Sequence, residues 1–146
     1  MLELDLTNRK FYTTWTQDMV RYRDLDPNGH VNNGAINQYF EDGRVFLREE
    51  RMADLGGNIL RGFAIKKFVA TYHRSLSYPA TIDVGTVVSR IGNSSFVLGQ
   101  GVFDSEGCIA TAEVITVFFD YKTGSSKQLP NAVRQALKSA VANLAG

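Results

Sequence analysis

Residues 23–52 read RDLDPNGHVNNGAINQYFEDGRVFLREERM, a turn-rich loop that runs without a break into a long amphipathic stretch. From Ile36 onward apolar residues recur at helical spacing as Ile36, Tyr39, Phe40, Gly43, Phe46 and Leu47. Asn32 or Asn33 is available as the N-cap, and Gly56-Gly57 as the stop. Glu41, Arg44, Arg48 and Arg51 form the polar face, but Val45 and Met52 widen the apolar stripe beyond what a helix on one flat surface needs. The pattern predicts one long helix, largely embraced by the rest of the chain.

On its N-terminal side, Phe11 to Tyr22 is rich in the β-branched and aromatic residues that suit a pleated surface, which predicts a first strand. On its C-terminal side come four runs of strand character: Phe63 to Arg74, Thr81 to Ile91, Ser95 to Asp104 and Cys108 to Tyr121. Their separators, Ser77-Tyr78-Pro79, Gly92-Asn93-Ser94 and Asp104-Ser105-Glu106-Gly107, are short and turn-like, so the four are expected to form an antiparallel meander. Pro130 then suits the first turn of a closing helix. Its apolar stripe is Val133, Ala136, Leu137, Ala140, Val141 and Leu144.

Strand, long helix, four antiparallel strands and helix make an α+β layout. A five-stranded antiparallel sheet wrapped around a long central helix, plus the C-terminal helix, satisfies it. A flat sandwich with both helices on one face also does, and the pattern alone leaves that open.

The length, 146 residues, suits one domain spanning 1–146, and 44% apolar with 21% charged residues is an ordinary globular composition. Sixteen Lys and Arg against fifteen Asp and Glu leave +1, so no basic excess draws the chain to nucleic acid or an anionic membrane. Cys108 is the sole cysteine, which rules out an intrachain disulfide and fits a reducing compartment. With charges interrupting Met1 to Lys10, neither a signal peptide nor a spanning segment is expected there, and the expected location is the cytoplasm.

The chemistry concentrates in Asp26-Pro27-Asn28-Gly29-His30-Val31-Asn32-Asn33. This loop sets a carboxylate, carboxamides and an imidazole just ahead of a helix N-terminus, where free N–H groups and the macrodipole favour negative charge. Such a place suits a thioester reaction: its carbonyl oxygen becomes an oxyanion that needs N–H donors, while a carboxylate attacks or activates water.

The loop resembles the active-site loop of the hot-dog-fold thioesterases of the 4-hydroxybenzoyl-CoA type, and also that of the acyl-acyl-carrier-protein thioesterases. The resemblance runs from about Val20 to the last strand, through Tyr39-Phe40-Glu41 and Arg44 and the turn Ile91-Gly92-Asn93-Ser94-Ser95. It implies acyl-CoA hydrolysis, with Asp26 as nucleophile or general base and the Asn33 N–H polarising the carbonyl. It further implies a homodimer joined edge to edge with the active site at the interface, often paired into a dimer of dimers. Arg90, Asn93, Ser94 and Ser95 fall where related enzymes approach the coenzyme A tail.

Each of these residues also has a plainer role. Asp before Pro is common turn chemistry, and Asn28, Asn32 and Asn33 serve as turn formers and caps with or without catalysis. Asp24 is expected to be structural. His30 either orients water or merely holds the loop. Glu41 and Arg44 are expected to form a solvated pair. With His30 and His73 the only histidines, no metal site is expected, and no cofactor. Three alternatives stand beside it: hydrolysis of an acyl-acyl-carrier-protein thioester, hydration of an enoyl thioester by Asp26 and His30, and a catalytically silent domain that binds an acyl thioester or a partner protein.

Overall fold

The computed structural model of the chain describes residues 3–142. Its central element is helix α1, Asn33–Met52. Asn32 caps it, with extended backbone and a side-chain oxygen that accepts from Gly34 N at 2.7 Å. Ile36, Tyr39, Phe40, Gly43, Leu47 and Met52 form its buried face; of the residues expected there, Phe46 is only half-buried and Val45 is exposed. A 3-10 turn, Ala53–Leu55, and Gly56 at φ 82° end it close to the anticipated stop. A single helical turn, α2, follows at Gly57–Leu60.

The strands are β1 Thr14–Met19, β2 Phe63–Tyr72, β3 Thr81–Ile91, β4 Ser95–Asp104 and β5 Gly107–Phe118. They form one antiparallel sheet in the order β1-β3-β4-β5-β2. Its inner face, which includes Val84, Leu98, Val102, Ala112 and Val114, packs on α1 in one apolar core. Gly43 lets the helix settle onto the middle of the sheet, because a Cβ there would lie 2.7 Å from Val84 Cγ1. This is the wrapped sheet expected above.

The four-strand meander requires correction. Only β3, β4 and β5 are joined by tight hairpins, whereas β2 lies at the far edge beside β5. The link between β2 and β3, residues 73–80, is a crossover and not a turn. Eight extended residues reach about 27 Å, ample for the roughly 14 Å across three strand spacings. The crossover is held on its way: Val31 N donates to Leu76 O at 3.1 Å and Val20 N to Ala80 O at 2.9 Å. Leu76 is buried there, beneath the loop that precedes α1.

Boundaries shift elsewhere too. The first strand is shorter than Phe11 to Tyr22, because 3-10 turns at Arg9–Phe11 and Tyr22–Asp24 take its ends. Pro130 is the N-cap of the closing helix α3, Asn131–Lys138, and not part of its first turn. Val133 and Leu137 are buried as expected, but Ala140 and Val141 lie past the helix end, where Val141 bridges to Val88. Leu144 lies outside the described residues. Arg51 ties these parts together, donating to Thr13 O at 2.8 Å and Ser139 O at 2.8 Å.

Candidate active site

The loop ahead of α1 is built on two aspartates with different tasks. Asp24 Oδ2 accepts from Arg21 N at 2.9 Å and from the Tyr39 hydroxyl at 2.6 Å, and Asp24 O accepts from Asn32 N at 2.8 Å. It therefore anchors the loop to the helix, the structural role expected of it. Burial, reinforced by the Asp24 carboxylate, holds the Tyr39 phenol well above its usual range, so it stays a donor.

Asp26 instead closes its own turn. Its Oδ1 accepts from Asn28 N at 2.9 Å and His30 N at 3.1 Å, while its N–H donates to His30 O at 2.7 Å. Gly29, at φ 80°, supplies the left-handed residue this turn requires. The second oxygen, Oδ2, has no hydrogen-bond partner among the described residues. One oxygen thus fixes the carboxylate while the other remains available for chemistry.

Asp26, His30 and Asn33 line one groove of about 360 Å³. Asn33 opens the helix, and its N–H has no acceptor among the described residues, since Asn32 Oδ1 takes the next one, Gly34 N. The groove thus combines a half-free carboxylate with an unengaged helix-terminal N–H. His30 is exposed on the same groove.

The opposite wall comes from the end of β2 and the crossover: Tyr72, His73, Arg74, Ser75 and Leu76. The Tyr72 hydroxyl donates to Asn37 Oδ1 at 2.6 Å, His73 Nε2 shares a 3.0 Å hydrogen bond with Thr111 Oγ1, and Arg74 pairs with Asp104 at 2.6 Å. Nothing local in the sequence marks these residues, because only the crossing of β2 to the sheet edge brings them here.

Arg90, Asn93, Ser94 and Ser95 are not brought to this groove within one chain. They flank the β3–β4 hairpin, whose Gly92 and Asn93 carbonyls accept from Arg134 at 3.0 and 3.3 Å. Arg90 is exposed beside a depression on the outer face of the sheet.

A second cleft, of about 170 Å³, opens between α1 and the sheet among Arg44, Arg48, Leu47, Phe63, Phe96 and Leu98. The expected solvated Glu41–Arg44 pair is not formed. Arg44 turns inward, donating from Nη1 to Gln100 Oε1 at 3.0 Å and lying 5.5 Å from the Phe68 ring centroid. Gln100, 0% exposed, provides the reason: its amide nitrogen bonds Phe40 O at 2.9 Å and Thr86 Oγ1 at 3.0 Å, which leaves its oxygen facing the helix. A glutamine in the strand run Ser95 to Asp104 was the available signal for this buried network.

Cys108 is half-buried, and burial pushes its thiol up to about 11, too high to supply a thiolate nucleophile. No group of His, Cys, Asp and Glu among the described residues could hold a metal ion, and no helix among them is long and apolar enough to cross a membrane.

A family model described as the thioesterase-like superfamily matches residues 20–137. Among solved structures, a Pseudomonas aeruginosa protein superposes with a TM-score of 0.82 at 24% identity, over 92% of this chain and 96% of its own. A predicted thioesterase from Bacillus stearothermophilus gives 0.80 at 26% identity, over 88% and 96%. A thioesterase from Thermus thermophilus, solved with coenzyme A and zinc, gives 0.79 at 25% identity, over 91% and 96%. No curated protein matches the chain.

Proposed function

The chain belongs to the thioesterase-like superfamily, and from that premise we propose that it hydrolyses an acyl thioester of coenzyme A to the free acid and thiol. The observation that carries this reading is the pairing of Asp26, one carboxylate oxygen unoccupied, with the unengaged Asn33 N–H on one groove. Coenzyme A as the carrier is supported by its presence in the Thermus thermophilus relative.

In this mechanism the thioester carbonyl accepts from Asn33 N–H at the positive end of α1, which stabilises the oxyanion as the carbon becomes tetrahedral. Asp26 Oδ2 either attacks that carbon or takes a proton from the attacking water. Collapse of the tetrahedral intermediate breaks the carbon–sulfur bond and expels the thiolate, which takes up a proton; where Asp26 itself has attacked, water then hydrolyses the acyl–aspartyl anhydride to release the acid and restore the carboxylate. His30, exposed on the groove, orients water. Arg90 has no side-chain acceptor among the described residues, so of the residues around the β3–β4 turn it has the most donors for a coenzyme A phosphate; Asn93, Ser94 and Ser95 would complete that contact.

The working unit in this proposal is a dimer joined through β2, which occupies a sheet edge and leaves Ile65 and Val69 each 49% exposed. Two identical edges joined by a two-fold axis run antiparallel. The start of one β2, at Phe63 and Ile65, then lies toward the end of the other, at Tyr72. The groove of one subunit meets the α1 cleft of its partner, and each active site is composite.

The test is thiol release from a panel of short, long and aromatic acyl-CoAs by the wild type and Asp26→Asn. Loss of about 10²-fold or more on substitution is expected; full turnover by Asp26→Asn would remove Asp26 from the mechanism. Loss of enoyl absorbance without thiol release would instead favour hydration by Asp26 and His30, whose side chains share the groove.

A further inference from the structure

Arg44 places a guanidinium inside a largely apolar cleft without a salt bridge among the described residues. Its neighbours there are Leu47, Phe63, Phe96 and Leu98, and its one acceptor is the neutral Gln100 Oε1. Arg48, one helical turn on, lines the same cleft. Neither arginine is salt-bridged among the described residues. Glu41 also lines the cleft and its charge favours the Arg44 cation, but it is exposed and bridges neither arginine, and Arg48 opposes it, so two cations face one carboxylate.

A guanidinium has five N–H donors in a planar fork that matches a carboxylate, and Gln100 Oε1 engages only one of the Arg44 set. Withdrawing such a charge from water without pairing it is unfavourable. The chain keeps that arrangement at a cavity, which is where a ligand could bring the missing anion. The cleft's volume of about 170 Å³ is close to the roughly 150 Å³ of an engineered cavity that admits benzene. It thus suits an acyl portion of about six carbons and not a long fatty chain.

On the reading of this protein as a dimeric thioesterase, we propose that the acyl group crosses from Asp26 of one subunit into the α1 cleft of its partner and ends in a carboxylate held by Arg44 and Arg48. The preferred substrate is accordingly the coenzyme A half-thioester of a short dicarboxylic acid. Hydrolysis would release the dicarboxylic acid and the thiol, with water the only co-reactant.

The experiment compares kcat/KM for adipyl-CoA and hexanoyl-CoA, which differ at the far end by a carboxylate in place of a methyl group. Wild type should prefer adipyl-CoA, and Arg44→Met should lower the adipyl-to-hexanoyl ratio by about 10- to 100-fold, the scale of a charge-assisted hydrogen bond. Arg48→Gln, further from the Gln100 network, should move the ratio the same way and covers the case in which Arg44→Met does not fold. A wild type that hydrolyses hexanoyl-CoA better, with a ratio unmoved by both variants, overturns this inference and leaves hydrolysis standing. If no acyl-CoA releases thiol, the proposed activity fails, and titration of the folded wild type with adipate and hexanoate decides the cleft separately. Tighter binding of adipate, lost in the variants, supports an anion site; equal or absent binding overturns it.

Discussion

Asp18 carries one carboxylate oxygen in a poor place. Oδ1 accepts from Met19 N at 2.9 Å, while Oδ2 is buried with no hydrogen-bond partner among the described residues. From β1 the side chain faces Asp42 on α1, with Arg21 at 3.9 Å and Asp24 and Tyr39 nearby. Burial comes first; a proton would also give the facing Asp18 and Asp42 carboxyls a hydrogen bond they otherwise lack and relieve their repulsion, and together these push the Asp18 carboxyl up to about 6. Because its folded value lies above its unfolded value of 3.8, the protonated form favours folding. That contribution is complete below pH 3.8 and is lost as the pH rises through 6. Asp18→Asn mimics the protonated state, so it should gain about 1–2 kcal/mol over wild type at pH 8 and much less at pH 4. Urea midpoints at the two pH values measure this, and an equal gain at both would show that the carboxyl does not titrate in this window.

At the scale of elements, the contact of α1 with the sheet depends on Gly43. Replacing glycine by alanine within a helix ordinarily gains about 1 kcal/mol from propensity. Here the added methyl carbon would lie 2.7 Å from Val84 Cγ1 and 3.0 Å from Gln100 Nε2, inside a hydrogen-bonded core. Overpacking of that kind costs about 1–3 kcal/mol, and the Gln100 bonds to Phe40 and Thr86 must also shift. Gly43→Ala should therefore lower stability by about 1–2 kcal/mol despite its better propensity, measurable as a fall in urea midpoint without a change in slope. A rise in midpoint would mean that the helix can lift away from Val84 at little cost.

The same helix shows what local pattern can disclose. Its apolar spacing, its Asn32 cap and its glycine stop all lie within a short reach of sequence, and so do the ends of β3 and β4, which match their turn residues. The Asp26 turn was equally legible, because its partners Asn28 and His30 are neighbours in the chain. Where β2 goes was not. Strand character specifies a strand but not its partner, and the separator at Ser77-Tyr78-Pro79 looks like a turn although the chain is crossing the sheet there. Everything that depends on that crossing, including the groove wall at Tyr72 to Leu76 and the α1 cleft beside β2, lay beyond pattern reading. Arg44 was misplaced for a related reason: its helix position indicates solvent, and the acceptor that draws it inward is 56 residues away on β4.

For the whole molecule, the composite-site proposal makes a demand that no single-chain site can meet. Each site takes Asp26 from one subunit and Arg44 from the other, so two different defects can be sorted into one molecule. Asp26→Asn has an intact cleft and no working carboxylate, whereas Arg44→Met has the carboxylate and a defective cleft. A dimer containing one of each has one site with both defects and one with neither. Unfolding and refolding an equal mixture places about half the molecules in mixed dimers. Adipyl-CoA turnover should then recover to about a quarter of the wild-type value, since half the dimers hold one good site of two. If groove and cleft belonged to the same chain in the working enzyme, every site would retain one defect and the mixture would show only the mean of its parents. A variant with Val69→Glu, which places charge on the β2 edge at an exposed position outside the cleft, should elute as a monomer, lose thiol release and fail to complement either partner. Recovery in the first mixture without recovery in the second would locate the shared site at this edge, and a fully active monomer would place the whole site within one chain.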